Sequence, residues 1–125
     1  MRARLRLTLL RAVSWACAPR TPARRSPPGA EARLLLIRPD HLGDVLFTTP
    51  ALRGLRAALP DAHLSCMVGP WAAPVLARNP HVNEVLTCPF PGFARRPKRH
   101  LLEPYLLLWS EAQKLRSKSF DAALV

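Results

Sequence analysis

The sequence predicts an α/β fold built on a parallel sheet, and three observations support this prediction. An uninterrupted apolar run at residues 34–37 stops at Arg38-Pro39, which is typical of a parallel strand buried on both faces. Short apolar runs and segments of helical periodicity then alternate along the chain. Such alternation favours parallel strands joined by right-handed crossovers. The 125 residues allow one modest core and one domain.

Proline or glycine follows each of the first three apolar runs and ends it. The predicted strands are 34–38, 63–68, 84–87 and 122–125, and the predicted helices are about 44–58, 71–78 and 101–115, with a Pro- and Arg-rich loop at 88–99. Pro50 lies inside the first helical pattern. Thr49 suits an N-cap with proline at the first helical position, so we expect a regular helix from there and a looser turn before it.

The net charge of +11 is concentrated in two basic clusters. Residues 1–31 are predicted to be a basic, Pro-rich extension, and residues 32–125 a domain. The extension is either disordered or an amphipathic helix on an anionic membrane surface; a cleaved signal or transit peptide also stays open, although Arg11 interrupts the apolar core of a signal peptide. No run approaches the ~20 apolar residues of a membrane span. A second basic cluster at 95–100 is either a clamp for an acidic acceptor or a solvated loop.

The three cysteines, Cys17, Cys66 and Cys88, have no CxxC spacing and do not suggest a metal site. Cys66 and Cys88 fall in strand-forming segments, where a free cysteine behaves as a small apolar side chain. A dinucleotide-binding oxidoreductase would need G-x-G-x-x-G after the first strand, and only Gly43 is present there. A small basic nucleic-acid-binding protein fits the charge, but no recognition motif supports it, and we expect no nucleic-acid partner.

Gly43-Asp44 follows the first strand at the point where an open α/β sheet binds ligands. Asp44 has two interpretations there. An acid in the first turn of a helix is commonly a stabilising group near the unpaired amides. The same carboxylate could accept a proton from a substrate hydroxyl.

Five motifs in order resemble one family of enzymes. They are RPDHLGD at 38–44, TTPAL at 48–52, LPDAH at 59–63, VGPWA at 68–72 and NPHVNEV at 79–85. This set is similar to the N-terminal part of glycosyltransferase family 9, the heptosyltransferases, from about residue 33 to residue 125. The Gly-Asp pair alone would not indicate this family.

The resemblance implies a Rossmann-like sheet forming the N-terminal, acceptor-side half of a two-domain GT-B type glycosyltransferase. The chain ends on a strand just beginning at 122–125, so we expect an N-terminal piece of a longer enzyme whose donor-binding domain is not in this sequence. Alone, it is expected to be inactive. The implied reaction is inverting transfer of a heptose-like sugar from a nucleotide diphosphate, ADP-heptose in the family, to a cell-envelope glycan or glycolipid. No cofactor is expected, and the implied location is the cytoplasm, with the inner face of the plasma membrane as an option.

The resemblance also implies site residues. Asp44 matches the family's general base, and Gly43 would allow close backbone approach. Arg38 stands where many members have Lys or Arg and could steer an anionic acceptor or the diphosphate. His41 and Thr48 are further candidates for substrate contact, although Asp40 and His41 replace the small hydroxyl residues common in this loop. The alternative to an enzyme is a non-catalytic basic fragment or a small protein that binds a membrane surface or nucleic acid.

Overall fold

The computed structural model describes Thr8, Arg11, residues 29–90 and residues 103–125. In these residues four parallel strands form one sheet: β1 (Arg33–Arg38), β2 (His63–Val68), β3 (Glu84–Thr87) and β4 (Ala122–Leu124). The helices within 29–90 and 103–125 are α1 (Leu42–Phe47), α2 (Thr49–Ala58), α3 (Ala73–Leu76) and α4 (Glu103–Ser117). The predicted α/β fold with a parallel sheet is therefore confirmed.

The strand order is β3-β2-β1-β4, so β1 lies inside the sheet between β2 and β4. The register places Arg38 opposite Val68 at one end, and Leu34 opposite Ala122 on the other side of β1. The chain adds β2 and β3 on one side of β1 and then returns to add β4 on the other. The strand order consequently reverses at β1, which makes the carboxyl end of β1 the topological switch point of the sheet.

The core explains the apolar runs in the sequence. Buried side chains of β1 and β2 lie on one face of the sheet; they are Leu34, Leu64, Cys66 and Val68. The helices α1, α2 and α3 add the buried side chains Val45, Leu52 and Leu76 to the apolar packing on that face. The intervening residues Leu35 and Met67 are also buried, although they point to the other face. Both strands thus need apolar side chains at successive positions, which is the pattern that predicted them.

The first helical segment is two helices, not one, and the predicted N-cap at Thr49 is wrong. Thr49 is the first residue of α2, and Thr48 separates the two helices. The Thr48 hydroxyl donates to the Val45 carbonyl at 2.6 Å, and the Thr49 hydroxyl to the Leu46 carbonyl at 2.8 Å. The last carbonyls of a helix lack partners within it. Both hydroxyls therefore satisfy the end of α1 and do not cap the start of α2.

The remaining helices also differ slightly from prediction. α3 is limited to Ala73–Leu76, because Trp71 lies in the turn before it. α4 ends two residues later than expected, and the predicted start at 101 lies outside the described residues. It belongs to one compact unit, residues 1–25 with 96–118, whereas the sheet and α1 to α3 belong to another, residues 26–95 with 119–125. In the part of the chain that the structure describes, no helix has the length and apolar character to cross a bilayer. The predicted extension at 1–31 and the basic cluster at 95–100 lie largely outside the described residues.

Candidate functional site

The candidate site is the segment that leaves the carboxyl end of β1. It consists of the loop Pro39–His41 and the start of α1, and we call it the β1–α1 segment. Its position at the switch point of the sheet is where open α/β folds bind their ligands. The predicted site residues Arg38, His41, Gly43 and Asp44 all lie at the end of β1 or in this segment, and Thr48 follows the last residue of α1.

Asp44 lies in the first turn of α1, and its side chain is exposed. The next residue, Val45, is fully buried in the core, and its amide donates to the His41 carbonyl at 3.1 Å. Burial of Val45 and this first helical hydrogen bond fix the orientation of α1. They leave the Asp44 carboxylate on the solvent side of the helix start, where it can receive a hydroxyl group.

No contact or backbone angle in the described residues requires glycine at Gly43. Its φ is not positive, and an added Cβ would meet no atom within 4 Å among the described residues. Glycine inside a helix is destabilising by about 1 kcal/mol relative to alanine. Its predicted role, close approach of a ligand to the backbone, stays a prediction, but the packing of the described residues offers no competing explanation.

Arg38 is held within the chain. One of its terminal nitrogens forms an ion pair with Asp40 at 2.9 Å, and the two side chains are 35% and 30% exposed. The Nε atom of Arg38 is buried and has no hydrogen-bond partner in the described part of the structure. The guanidinium also acts on Cys66 of β2: burial raises the pKa of the Cys66 thiol to about 11, and the positive charge of Arg38 partly opposes that rise. The cation predicted to steer an anion is thus already paired with a carboxylate.

His41 and Thr48 occupy the two ends of α1. His41 is the N-cap residue, in extended conformation, and its side chain makes no capping hydrogen bond. Thr48 donates its hydroxyl proton to Val45, so only its lone pairs point elsewhere. A hydroxyl in that state accepts hydrogen bonds and does not donate one to a phosphate. The predicted contact of Thr48 with substrate stays a prediction, and donation to a phosphate would require its hydroxyl to turn.

Trp71 is the residue that sequence reasoning missed at this site. Its ring packs on the core cluster that includes Val45 and Val68. Its indole Nε1–H also donates to the backbone carbonyl of Asp40 at 3.0 Å. The only sequence signal was the position of Trp71 just after the end of β2, which places it beside the end of β1 in a parallel sheet.

A groove of about 500 Å³ lies between α2 and the residues that follow α3. Thr49, Arg53, Arg78 and His81 are among the residues that line it. None of the five predicted site residues does so. The candidate site is therefore separate from this groove.

Comparison with known proteins tests the predicted family. Lipopolysaccharide heptosyltransferase 2 of Escherichia coli is 35% identical to this chain over 94 residues, which make up 74% of this chain and 24% of that protein. This chain is heptosyltransferase-like. Lipooligosaccharide heptosyltransferase 2 of Haemophilus ducreyi is 29% identical over 93 residues, with the same shares of the two chains. The heptosyltransferase-like chain therefore spans about a quarter of the length of these relatives.

The fold comparison agrees. A crystal structure described as glycosyl transferase family 9 from Veillonella parvula has a TM-score of 0.59 and 24% identity, and the match covers 76% of this chain and 25% of that one. No protein-family model matches the heptosyltransferase-like chain. The predicted resemblance and the Rossmann-like α/β fold are confirmed, and the relatives are glycosyltransferases by name, which confirms the predicted enzyme class at the level of the family.

Proposed function

We propose that this chain is the acceptor-side part of an inverting glycosyltransferase and that Asp44 is its general base. The observation that carries the proposal is the position of the Asp44 carboxylate. It is exposed, it lies in the first turn of α1, and it follows the strand at which the sheet order reverses. Relatives named as heptosyltransferases support a sugar as the transferred group.

The chemistry asked of Asp44 is simple. An acceptor hydroxyl gives its proton to the carboxylate while its oxygen forms a bond to the anomeric carbon of the donor sugar. The bond from that carbon to the diphosphate oxygen breaks, and the nucleoside diphosphate leaves with the bonding electrons. Attack on the face opposite to the leaving group inverts the anomeric centre. No cofactor takes part in these steps.

Gly43 supports the proposal because the fold does not require it. An open backbone beside Asp44 leaves space for the acceptor, and a helix N-terminus favours negative charge near it. In this proposal the donor is a nucleotide-diphosphate heptose, such as ADP-heptose, and a further domain holds most of it. The acceptor is a cell-envelope glycolipid. The reaction takes place in the cytoplasm or at the inner face of the plasma membrane.

The test is Asp44→Asn in an enzyme that contains this chain together with a donor-binding domain. Asn keeps the size and the helix-capping ability of Asp but accepts no proton at neutral pH. We expect turnover to fall by about 10²- to 10⁴-fold, while donor affinity stays unchanged. Asp61→Asn is the matched control, because Asp61 is also exposed but lies in the turn after α2. Normal turnover of Asp44→Asn would refute the general-base assignment.

A further inference from the structure

Asp40 is tied to the fold at two separate points. Its carboxylate pairs with Arg38 at 2.9 Å, and its backbone carbonyl accepts the indole N–H of Trp71 at 3.0 Å. The first partner is the last residue of β1, and the second follows the end of β2. One loop residue is thus bound to the ends of both central strands.

The Trp71 end of this connection is itself rigid. A Cβ added at Gly69 would come within 2.2 Å of the Trp71 ring, so the ring lies directly against the backbone that leaves β2. The ring also packs against the buried apolar cluster to which Val45 belongs. The indole N–H therefore has a fixed direction, and the carbonyl of Asp40 lies in that direction.

The connection continues to the start of α1. His41, the residue after Asp40, supplies the carbonyl that accepts the amide of Val45, and this is the first hydrogen bond of the helix. Asp44 lies between these two residues. We propose that Asp40 is the residue that positions Asp44, with Arg38 and Trp71 acting through it. The proposal deepens the proposed function and rests on it only for the role of Asp44. It assigns Arg38 to holding the loop and gives the tryptophan N–H a purpose beyond packing.

Amide hydrogen exchange on the chain itself tests the positioning without any need for activity. Trp71→Phe keeps an aromatic ring but removes the N–H donor. We expect the Val45 amide to exchange about fivefold faster, the factor that one ordinary hydrogen bond contributes. The amide of His63, which donates to the Ala32 carbonyl at the opposite end of the strands, should keep its rate. Gly69→Ala displaces the ring by a different means and should have the same local effect.

A second pair of variants addresses the ion pair. Asp40→Ala removes the carboxylate, whereas Asp40→Asn retains an oxygen that can accept from Arg38. The exchange rate of the Val45 amide should rise in Asp40→Ala. In Asp40→Asn it should return most of the way to the wild-type rate. Trp109→Phe on α4 is the control, because Trp109 is exposed and is not part of the cluster on which Trp71 packs, and it should leave both amides unchanged.

Equal acceleration of exchange at Val45 and His63 would mean that Trp71 only stabilises the whole fold. No change at Val45 would mean that the hydrogen bond from Trp71 to Asp40 does not hold the start of α1. Either result would overturn the proposal. In an active enzyme, Trp71→Phe should lower kcat and leave the KM of the sugar donor unchanged. Normal kcat together with faster exchange of the Val45 amide would instead overturn the general-base role of Asp44. Failure of the positioning proposal and failure of the proposed function are therefore distinguishable.

Discussion

Arg56 of α2 hydrogen-bonds to the side-chain oxygen of Asn83, and the same oxygen accepts the backbone amide of Leu64 at 2.8 Å. The Arg56 guanidinium also donates to four backbone carbonyls, those of Leu59 at 3.5 Å, Pro60 at 2.8 Å, Ala62 at 2.7 Å and His81 at 3.3 Å. One side chain therefore joins the end of α2 to both segments that lead into β2 and β3. Several carbonyls that no strand partner satisfies are paired in this way.

Arg56→Met should strongly destabilise the fold. Methionine retains the apolar stem but leaves these carbonyls and the Asn83 oxygen without their donor. We expect the free energy of unfolding to fall by about 2–3 kcal/mol, as for loss of a charged hydrogen-bond donor. Arg53→Met, one turn earlier and exposed, is the matched control and should stay within about 0.5 kcal/mol. Chemical denaturation measures both, and similar losses would show that the Arg56 contacts contribute little.

Ser119 has φ of 50°, in the left-handed region that favours glycine, two residues after α4 ends. Ser119→Gly should relieve this strain and raise the free energy of unfolding by about 0.5 kcal/mol, after allowing for the entropy of glycine. Ser117→Gly is the control, because Ser117 is still helical and donates its hydroxyl to the Lys114 carbonyl. It should lower the same free energy by about 0.5 kcal/mol. Destabilisation by Ser119→Gly would show that the Ser119 backbone is not strained.

Cys66 should make the fold sensitive to alkaline pH. The Cys66 side chain is 1% exposed, and burial raises its pKa from the ordinary 9.0 to about 11. Between these values the unfolded chain loses the thiol proton while the folded chain keeps it. Stability is thus fully present below pH 9 and falls as pH rises towards 11, by at most about 1.4 kcal/mol per pH unit.

The measurement is the difference in unfolding free energy between the wild-type protein and Cys66→Ala at several pH values. Other groups titrate in this range, but they are common to both proteins and cancel. The advantage of the wild type should shrink by about 1–2 kcal/mol between pH 9 and 10.5. A difference that does not depend on pH would mean that the thiol ionises equally well in both states.

The first three strands were predictable from sequence almost to the residue, because proline or glycine follows the apolar run of each. β2 spans 63–68 and β3 spans 84–87, as predicted. Helix boundaries were less predictable. The break at Thr48 depends on two hydroxyls that bond to carbonyls three residues back, where the sequence favoured capping of the following helix.

The location of the site was predictable, but its internal contacts were not. Gly43-Asp44 marks the end of β1 through local sequence alone. The bond from Trp71 to Asp40 spans 31 positions, and that from Arg56 to Asn83 spans 27. Such contacts depend on which strands become neighbours and on side-chain direction, and neither is encoded in the local pattern. The pairing of Arg38 with Asp40 also escaped prediction, although residues two apart on an extended chain lie on the same side and can meet.

The pairing of β4 with β1 has a consequence for the order in which the sheet opens. Strands β1 to β3 are close in sequence, whereas Arg33 and Asp121, which share a hydrogen bond beside β4, are 88 positions apart. Closing so long a segment has a large entropic cost, and the three residues of β4 return only a few hydrogen bonds for it. β4 should then be the first strand to detach. Its detachment would leave β1, the strand that leads to Asp44, as an edge strand able to pair with another chain.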